Sequence, residues 1–188
     1  MSTSAFPTVV RFSDCADQPW ANGGGSTRVL AIGPENAAEF DWRLSVASVT
    51  SGAFSQFRGI DRVIVLAEGP TMTLTIDGEL HVLELFRPKR FAGESVVTCE
   101  TARPSLDFNV MTRRQVCSAE VSIQLESGQL DAPLDGLTFV VALAGSMTVR
   151  SAGGRTVTLG RFDSVRLSSA AELSVESPAR AAVVRVRR

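Results

Sequence analysis

The stretch Thr71-Met72-Thr73-Leu74-Thr75-Ile76-Asp77-Gly78-Glu79-Leu80-His81-Val82-Leu83 decides the fold class. Its first six residues alternate polar and apolar, the period of a strand with one buried face. Asp77-Gly78 then supplies the two positions at which a type I′ turn requires positive φ, and Glu79–Leu83 resumes a strand. A β-hairpin follows. Similar strand patterns recur at Arg28–Ile32, Asp41–Val49, Arg62–Ala67, Leu106–Met111, Cys117–Leu125, Thr138–Leu143, Met147–Ser151, Thr156–Leu159, Ser164–Leu167, Leu173–Glu176 and Ala181–Val186. Only Glu35–Glu39 reads as a helical turn, so the class is all-β.

The hairpin occurs twice. Val63-Ile64-Val65-Leu66-Ala67-Glu68-Gly69, followed by Met72-Thr73-Leu74, resembles Phe139-Val140-Val141-Ala142-Leu143-Ala144-Gly145, followed by Met147-Thr148-Val149. The two glycines lie 76 residues apart, and Asp77-Gly78 with Gly153-Gly154, then Leu83 with Leu159, keep that offset. Beyond an apparent insertion at Leu85–Phe91, Gly93-Glu94-Ser95-Val96 reads as the counterpart of Phe162-Asp163-Ser164-Val165. A strand ending in Gly, a hairpin and a further strand form the pattern of cupin β-barrels, jelly rolls whose closure protects strand edges. The expectation is a double cupin of two small jelly-roll β-barrels packed together, residues 1–114 and 115–188, against a single β-sandwich with a chance repeat.

With 188 residues and 44% hydrophobic content, the chain can bury a core of this size. Nineteen Lys and Arg balance 20 Asp and Glu, which argues against a general attraction to nucleic acid or to anionic membrane. The first residues lack a signal-peptide pattern, and no apolar run approaches the roughly 18 residues of a membrane span, so a cytoplasmic protein is expected. Cys15, Cys99 and Cys117 are odd in number and far apart, as reduced structural thiols would be.

A metal is not expected. His81 is the one histidine, so the two-histidine, one-carboxylate set of metal cupins cannot be assembled. Its place on a strand between Leu80 and Val82 points it away from them, toward solvent. The chain has no tyrosine, which removes the His/Tyr acid–base pair of metal-free sugar epimerases, and no G-x-S-x-G elbow for a serine hydrolase. Carboxylate chemistry, or none, remains, and no cofactor is implied.

Strand parity locates a candidate site. On Asp41–Val49, Arg43, Ser45 and Ala47 share one face and Trp42, Leu44 and Val46 the other. On Leu106–Arg113, Asp107, Asn109, Met111 and Arg113 share a face opposite Phe108 and Val110. Turned inward, the polar faces would line a ligand pocket; turned outward, they would simply be solvated. The glycine-punctuated loop Ser51–Arg62 carries Phe54, Ser55, Phe57, Asp61 and Arg62 to the mouth of the same barrel. Pro19-Trp20-Ala21-Asn22-Gly23-Gly24-Gly25-Ser26-Thr27-Arg28 suggests a phosphate cradle, but its glycines lead into a strand rather than a helix N-terminus. They suit a tight turn lying against another element or over a pocket.

Four blocks, Trp20–Arg28, Phe40–Ala47, Gly52–Arg62 and Asp107–Arg114, together resemble the HutD/Ves family in order. The resemblance implies a metal-free bicupin encoded beside histidine-utilisation genes. It also implies a small acidic metabolite such as formylglutamate as partner, and no assured catalytic activity. Ala21 stands where the family commonly has lysine, and Ala53 and Arg58 where proline is common.

Three functions are open at this point. In a non-enzymatic sensor, Arg43 and Arg62 hold a carboxylate, Asn109 and Ser45 orient a polar group, Trp20 and Phe54 cover the apolar part, and Asn22 and Ser55 complete the site. In an enzyme, Asp61 or Asp107 acts as general base. An interaction module would have its barrels filled by side chains, with a homodimer among its arrangements.

Overall fold

The computed structural model describes residues 8–34, 39–125, 127–130, 136–167, 170–175 and 178–188. Most of the Glu35–Glu39 segment lies outside them. In chain order the strands are β1 (Thr8–Val10), β2 (Asp17–Pro19), β3 (Gly25–Gly33), β4 (Trp42–Val49), β5 (Gly52–Ala53), β6 (Ile60–Glu68), β7 (Met72–Ile76), β8 (Glu79–Leu83), β9 (Pro88–Ala92) and β10 (Val97–Thr101). They continue as β11 (Ser105–Arg113), β12 (Ser118–Gln124), β13 (Gly128–Leu130), β14 (Gly136–Ala144), β15 (Met147–Ser151), β16 (Thr156–Leu159), β17 (Ser164–Leu167), β18 (Ala171–Val175) and β19 (Arg180–Arg187). The chain is an all-β double cupin, and its strands divide between two compact units.

The unit Cys15–Ser118 consists of a six-stranded sheet, β2-β3-β4-β11-β6-β9, and a four-stranded sheet, β5-β10-β7-β8. Its inner face carries an apolar cluster drawn from both sheets, with Ala47 and Val49 of β4, Ile64 and Leu66 of β6, Met72, Leu74 and Ile76 of β7, and Val97 and Cys99 of β10. The opening hairpin forms as its sequence requires: Asp77 and Gly78 take φ values of 49° and 89°, and Met72 pairs with Leu83.

The second unit joins Met1–Asp14 to Ala119–Arg188. Its sheets are β1-β17-β14-β19-β12 and β13-β18-β15-β16. Sequence reading assigns residues 1–114 to the first barrel, whereas Thr8–Val10 pairs with Ser164–Arg166. Asp163 anchors this start of the chain: its carboxylate accepts from the Phe12 N–H at 2.9 Å and from Arg11 Nη1 at 2.6 Å.

The repeat is more regular than the sequence suggests. Val65 pairs with Pro88 as Val141 pairs with Ser164. The Phe86 N–H donates to the Leu66 carbonyl as that of Phe162 donates to Ala142, and both phenylalanines have positive φ. Pro88–Ala92 is therefore the counterpart of Ser164–Leu167 at the same 76-residue offset, and there is no insertion at Leu85–Phe91. Two charged residues and a proline in Pro88-Lys89-Arg90-Phe91 hide the strand in sequence.

His81 also departs from expectation. It sits opposite the fully buried Leu74 on the inner face of edge strand β8, with Nδ1 3.0 Å from Lys89 Nζ, while Leu80 and Val82 are the exposed residues. Parity separates His81 from its neighbours correctly but cannot say which side is inside. Among the described residues no helix is long and apolar enough to cross a membrane. None of the three cysteines is in a disulfide; Cys99 and Cys117 are buried and Cys15 half-buried.

Candidate functional site

Three rungs across neighbouring strands β4, β11 and β6 build the site: Arg43–Met111–Arg62, Ser45–Asn109–Ile64 and Ala47–Asp107–Leu66. Because side chains alternate along strands, all nine residues share the inner face of the sheet. Leu44, Val46, Phe108 and Val110 lie on its other face and are buried as well. From β2, the turn that follows it, β3 and the segment between β5 and β6, Gln18, Pro19, Trp20, Thr27, Phe54, Ser55 and Phe57 close a cavity of about 200 Å³.

The segment carrying Phe54, Ser55 and Phe57 is tied down at several points. The Phe54 N–H donates to the Val97 carbonyl at 2.9 Å and that of Phe57 to Gly93 at 2.7 Å. Glu94 accepts from the Gly59 N–H at 2.6 Å, and Arg114 bridges Glu94 and Asp61 at 3.0 and 2.7 Å. Those hydrogen bonds hold the Glu94 carboxyl down at about 2.

The glycine-rich stretch turns β2 into β3. A Cβ on Gly25 would lie 2.2 Å from the Ser48 carbonyl oxygen and 3.2 Å from the Trp20 ring, so only glycine fits under that ring. Trp20 Nε1 donates to Thr27 Oγ1 at 2.7 Å, and its ring meets Phe54 edge to face at 6.0 Å.

Arg62 is 6% exposed. Its Nη2 donates to Asn109 Oδ1 at 3.1 Å and its Nη1 to the Ser55 carbonyl at 3.4 Å. Phe91, Phe54 and Phe57 surround the guanidinium at 4.8, 5.4 and 5.7 Å. Arg43 donates from Nη2 to Met111 Sδ at 3.1 Å and lies over Phe40 and Phe57 at 5.0 and 5.5 Å. The Phe57 ring is thus shared by both cations. Arg43 Nε and Arg62 Nε are buried and have no acceptor.

Asp107 is completely buried. One of its oxygens, Oδ1, accepts from Asn109 Nδ2, while Oδ2 has no partner. Burial pushes its carboxyl up to about 7 against the pull of Arg62. Desolvation brings the Arg62 guanidinium down to about 10, an effect that Asp107 opposes and Arg43 reinforces, and it lowers Arg43 as well.

Of the residues singled out from sequence, Trp20, Arg43, Ser45, Phe54, Ser55, Arg62 and Asn109 line this one cavity. Asn22 does not. Its amide is used in the turn, where Oδ1 accepts from the Gly24 N–H at 3.0 Å and Nδ2 donates to the Ala53 carbonyl at 3.1 Å. Asp61 is on the surface with Arg114, and Arg113 turns to Glu39 and the Phe40 carbonyl. Gln18, Pro19 and Thr27 belong to the lining without having been expected there, and Phe57 joins it from the loop that the sequence already brings to the barrel mouth. The first two lie on a three-residue strand too short to show alternation. Asp107 and Met111 were legible, since they share the face of Asn109.

The HutD family model matches residues 12–184. The chain belongs to the HutD family. Protein Ves of Citrobacter koseri is 38% identical over 127 residues, and that of Escherichia fergusonii 36%, each match covering 65% of this chain and 66% of the relative. The chain thus spans just under two thirds of these relatives' length. Among solved structures, a conserved protein of unknown function from Pseudomonas aeruginosa superposes with a TM-score of 0.88 at 27% identity, covering 98% of this chain and 100% of its own. HutD from Pseudomonas fluorescens does so at 0.85 and 28%, covering 97% and 100%. Oxalate decarboxylase from Lactobacillus farciminis, at 0.65 and 9% identity with coverage of 100% and 87%, shares the fold alone.

Proposed function

We propose that this HutD-family protein binds a small carboxylic acid between Arg43 and Arg62. One observation carries this reading: two guanidinium groups enter one cavity from either side of Met111, and each keeps a buried Nε–H with no acceptor. An unmatched buried donor costs roughly 1–3 kcal/mol, which an incoming carboxylate would recover. Charge-assisted bonds contribute about 1.5–3 kcal/mol each, so two of them with apolar contact to Trp20 and Phe54 approach the ~8 kcal/mol of micromolar affinity. A cavity of about 200 Å³ suits a small metabolite, below the roughly 300–1,000 Å³ of drug-sized sites.

The second barrel supports the assignment by contrast. By ladder position Arg62, Asp107 and Asn109 correspond to Thr138, Ala181 and Val183, and Ala181 and Val183 belong to a wholly apolar cluster. Membership of the HutD family supports a role linked to histidine utilisation, and in this reading the protein is a sensor that limits flux by binding an acidic intermediate such as formylglutamate. Calorimetry with formylglutamate, glutamate and urocanate tests this reading. Saturable heat is expected with at least one acid, reduced at least tenfold in affinity by Arg43→Ala. No heat with any of them, or an unchanged Arg43→Ala isotherm, refutes it.

A further inference from the structure

Asp107 is a carboxyl group for which the fold has no need. Burying a carboxylate costs several kcal/mol unless its oxygens are well bonded, yet Asp107 is fully buried with Oδ2 unmatched. At the same ladder position the second barrel keeps its geometry with the methyl group of Ala181. What distinguishes Asp107 is its place beneath two cations in a ligand-sized cavity.

The charge at that place can change. Arg43 from β4 and Arg62 from β6 bring two positive charges, and an ionised Asp107 leaves one in net, whereas a protonated Asp107 leaves two. The other groups facing it are Asn109 on its own strand, which is neutral, and Cys99 of β10, whose thiol burial pushes up to about 12. Glu100 of the same strand acts on Cys99. A negatively charged guest between the guanidiniums disfavours a second negative charge at Asp107.

We propose that this pocket selects doubly charged acids, and that Asp107 matches the pocket to them by taking up one proton from solvent, at Oδ2, as the dianion seats. The proposal rests on the acid-binding reading above and adds to it the charge class of the ligand. Near neutrality Asp107 is the group poised to respond, since its carboxyl lies at about 7 while Arg62 and Cys99 lie far higher.

The test is titration calorimetry of the full chain with succinate and with monomethyl succinate, nearly equal in size but different in charge, in buffers of different ionisation enthalpy. At pH 7 succinate should bind with uptake of about half a proton and at least tenfold more tightly than its monoester, and its affinity should fall about fivefold from pH 7 to pH 8. Asp107→Asn should bind succinate with no proton uptake and no pH dependence over that range. Heat that is independent of buffer, the same uptake in Asp107→Asn, or equal affinity for the monoester overturns the proposal while leaving acid binding intact. If the variant does not fold, the buffer and pH series on the native protein decide the matter alone. Failure of both acids to bind at millimolar concentration refutes acid binding itself.

Discussion

Arg62 shows how one residue acquires a role from its surroundings. Its partners use the two Nη atoms and leave Nε open, and aromatic rings replace the water it gave up. Asp107 sits below it with a pH signature that can be read without any ligand. Its carboxyl lies at about 7 in the folded protein, above the ~3.9 of an unfolded aspartate. Between those values the folded state holds more protons than the unfolded one, so native stability declines as pH rises through the interval. In urea melts at pH 4, 6 and 8, the native protein should lose ground to Asp107→Asn by a few kcal/mol from the lowest pH to the highest. A difference independent of pH would mean that Asp107 keeps an ordinary aspartate pKa.

Among elements, the β2–β3 hairpin couples fold to site most directly, because the residue that allows the turn also seats Trp20. Gly25→Ala drives a Cβ into the Ser48 carbonyl and against the indole. It should cost about 1–3 kcal/mol in chemical denaturation and shift tryptophan emission as Trp20 loses its contact with Phe54. Unchanged emission and stability would show that the turn tolerates a side chain. The hairpin at Asp77-Gly78 was legible because alternation and turn chemistry agree there. The strand Pro88–Ala92 was not, because its outward residues Pro88 and Arg90 and its inward Lys89 erase the alternation. Lys89 points inward beside His81, where the second barrel has Val165 and Val157.

For the molecule as a whole, one β unit occurs twice and the two copies fill their interiors differently. The Cys15–Ser118 barrel holds Arg43, Arg62, Asp107 and Asn109 around a cavity, whereas the other is filled by Val140, Leu159, Leu173, Val183 and their neighbours. Placing the first barrel's carboxylate in the second shows what the cations do for it. Ala181→Asp sets an unpaired charge in an aliphatic cluster, and should destabilise by about 3–5 kcal/mol at pH 7, read as an earlier denaturation midpoint. A loss below 1 kcal/mol would show that the second barrel admits water or ions.

The chain's local patterns alone determined the β class, the duplicated unit and the division of β4 and β11 into an apolar face and a polar one, since period and turn residues are local properties. Tertiary structure decided which face is inside, for both faces of the site sheet are buried and alternation treats inward and outward alike. It also decided that Asn22 serves the turn, that Asp61 stays at the surface, and that Arg43 and Arg62, 19 positions apart in the chain, flank one methionine. Such neighbours are made by pairing distant strands, and no local stretch of sequence contains them.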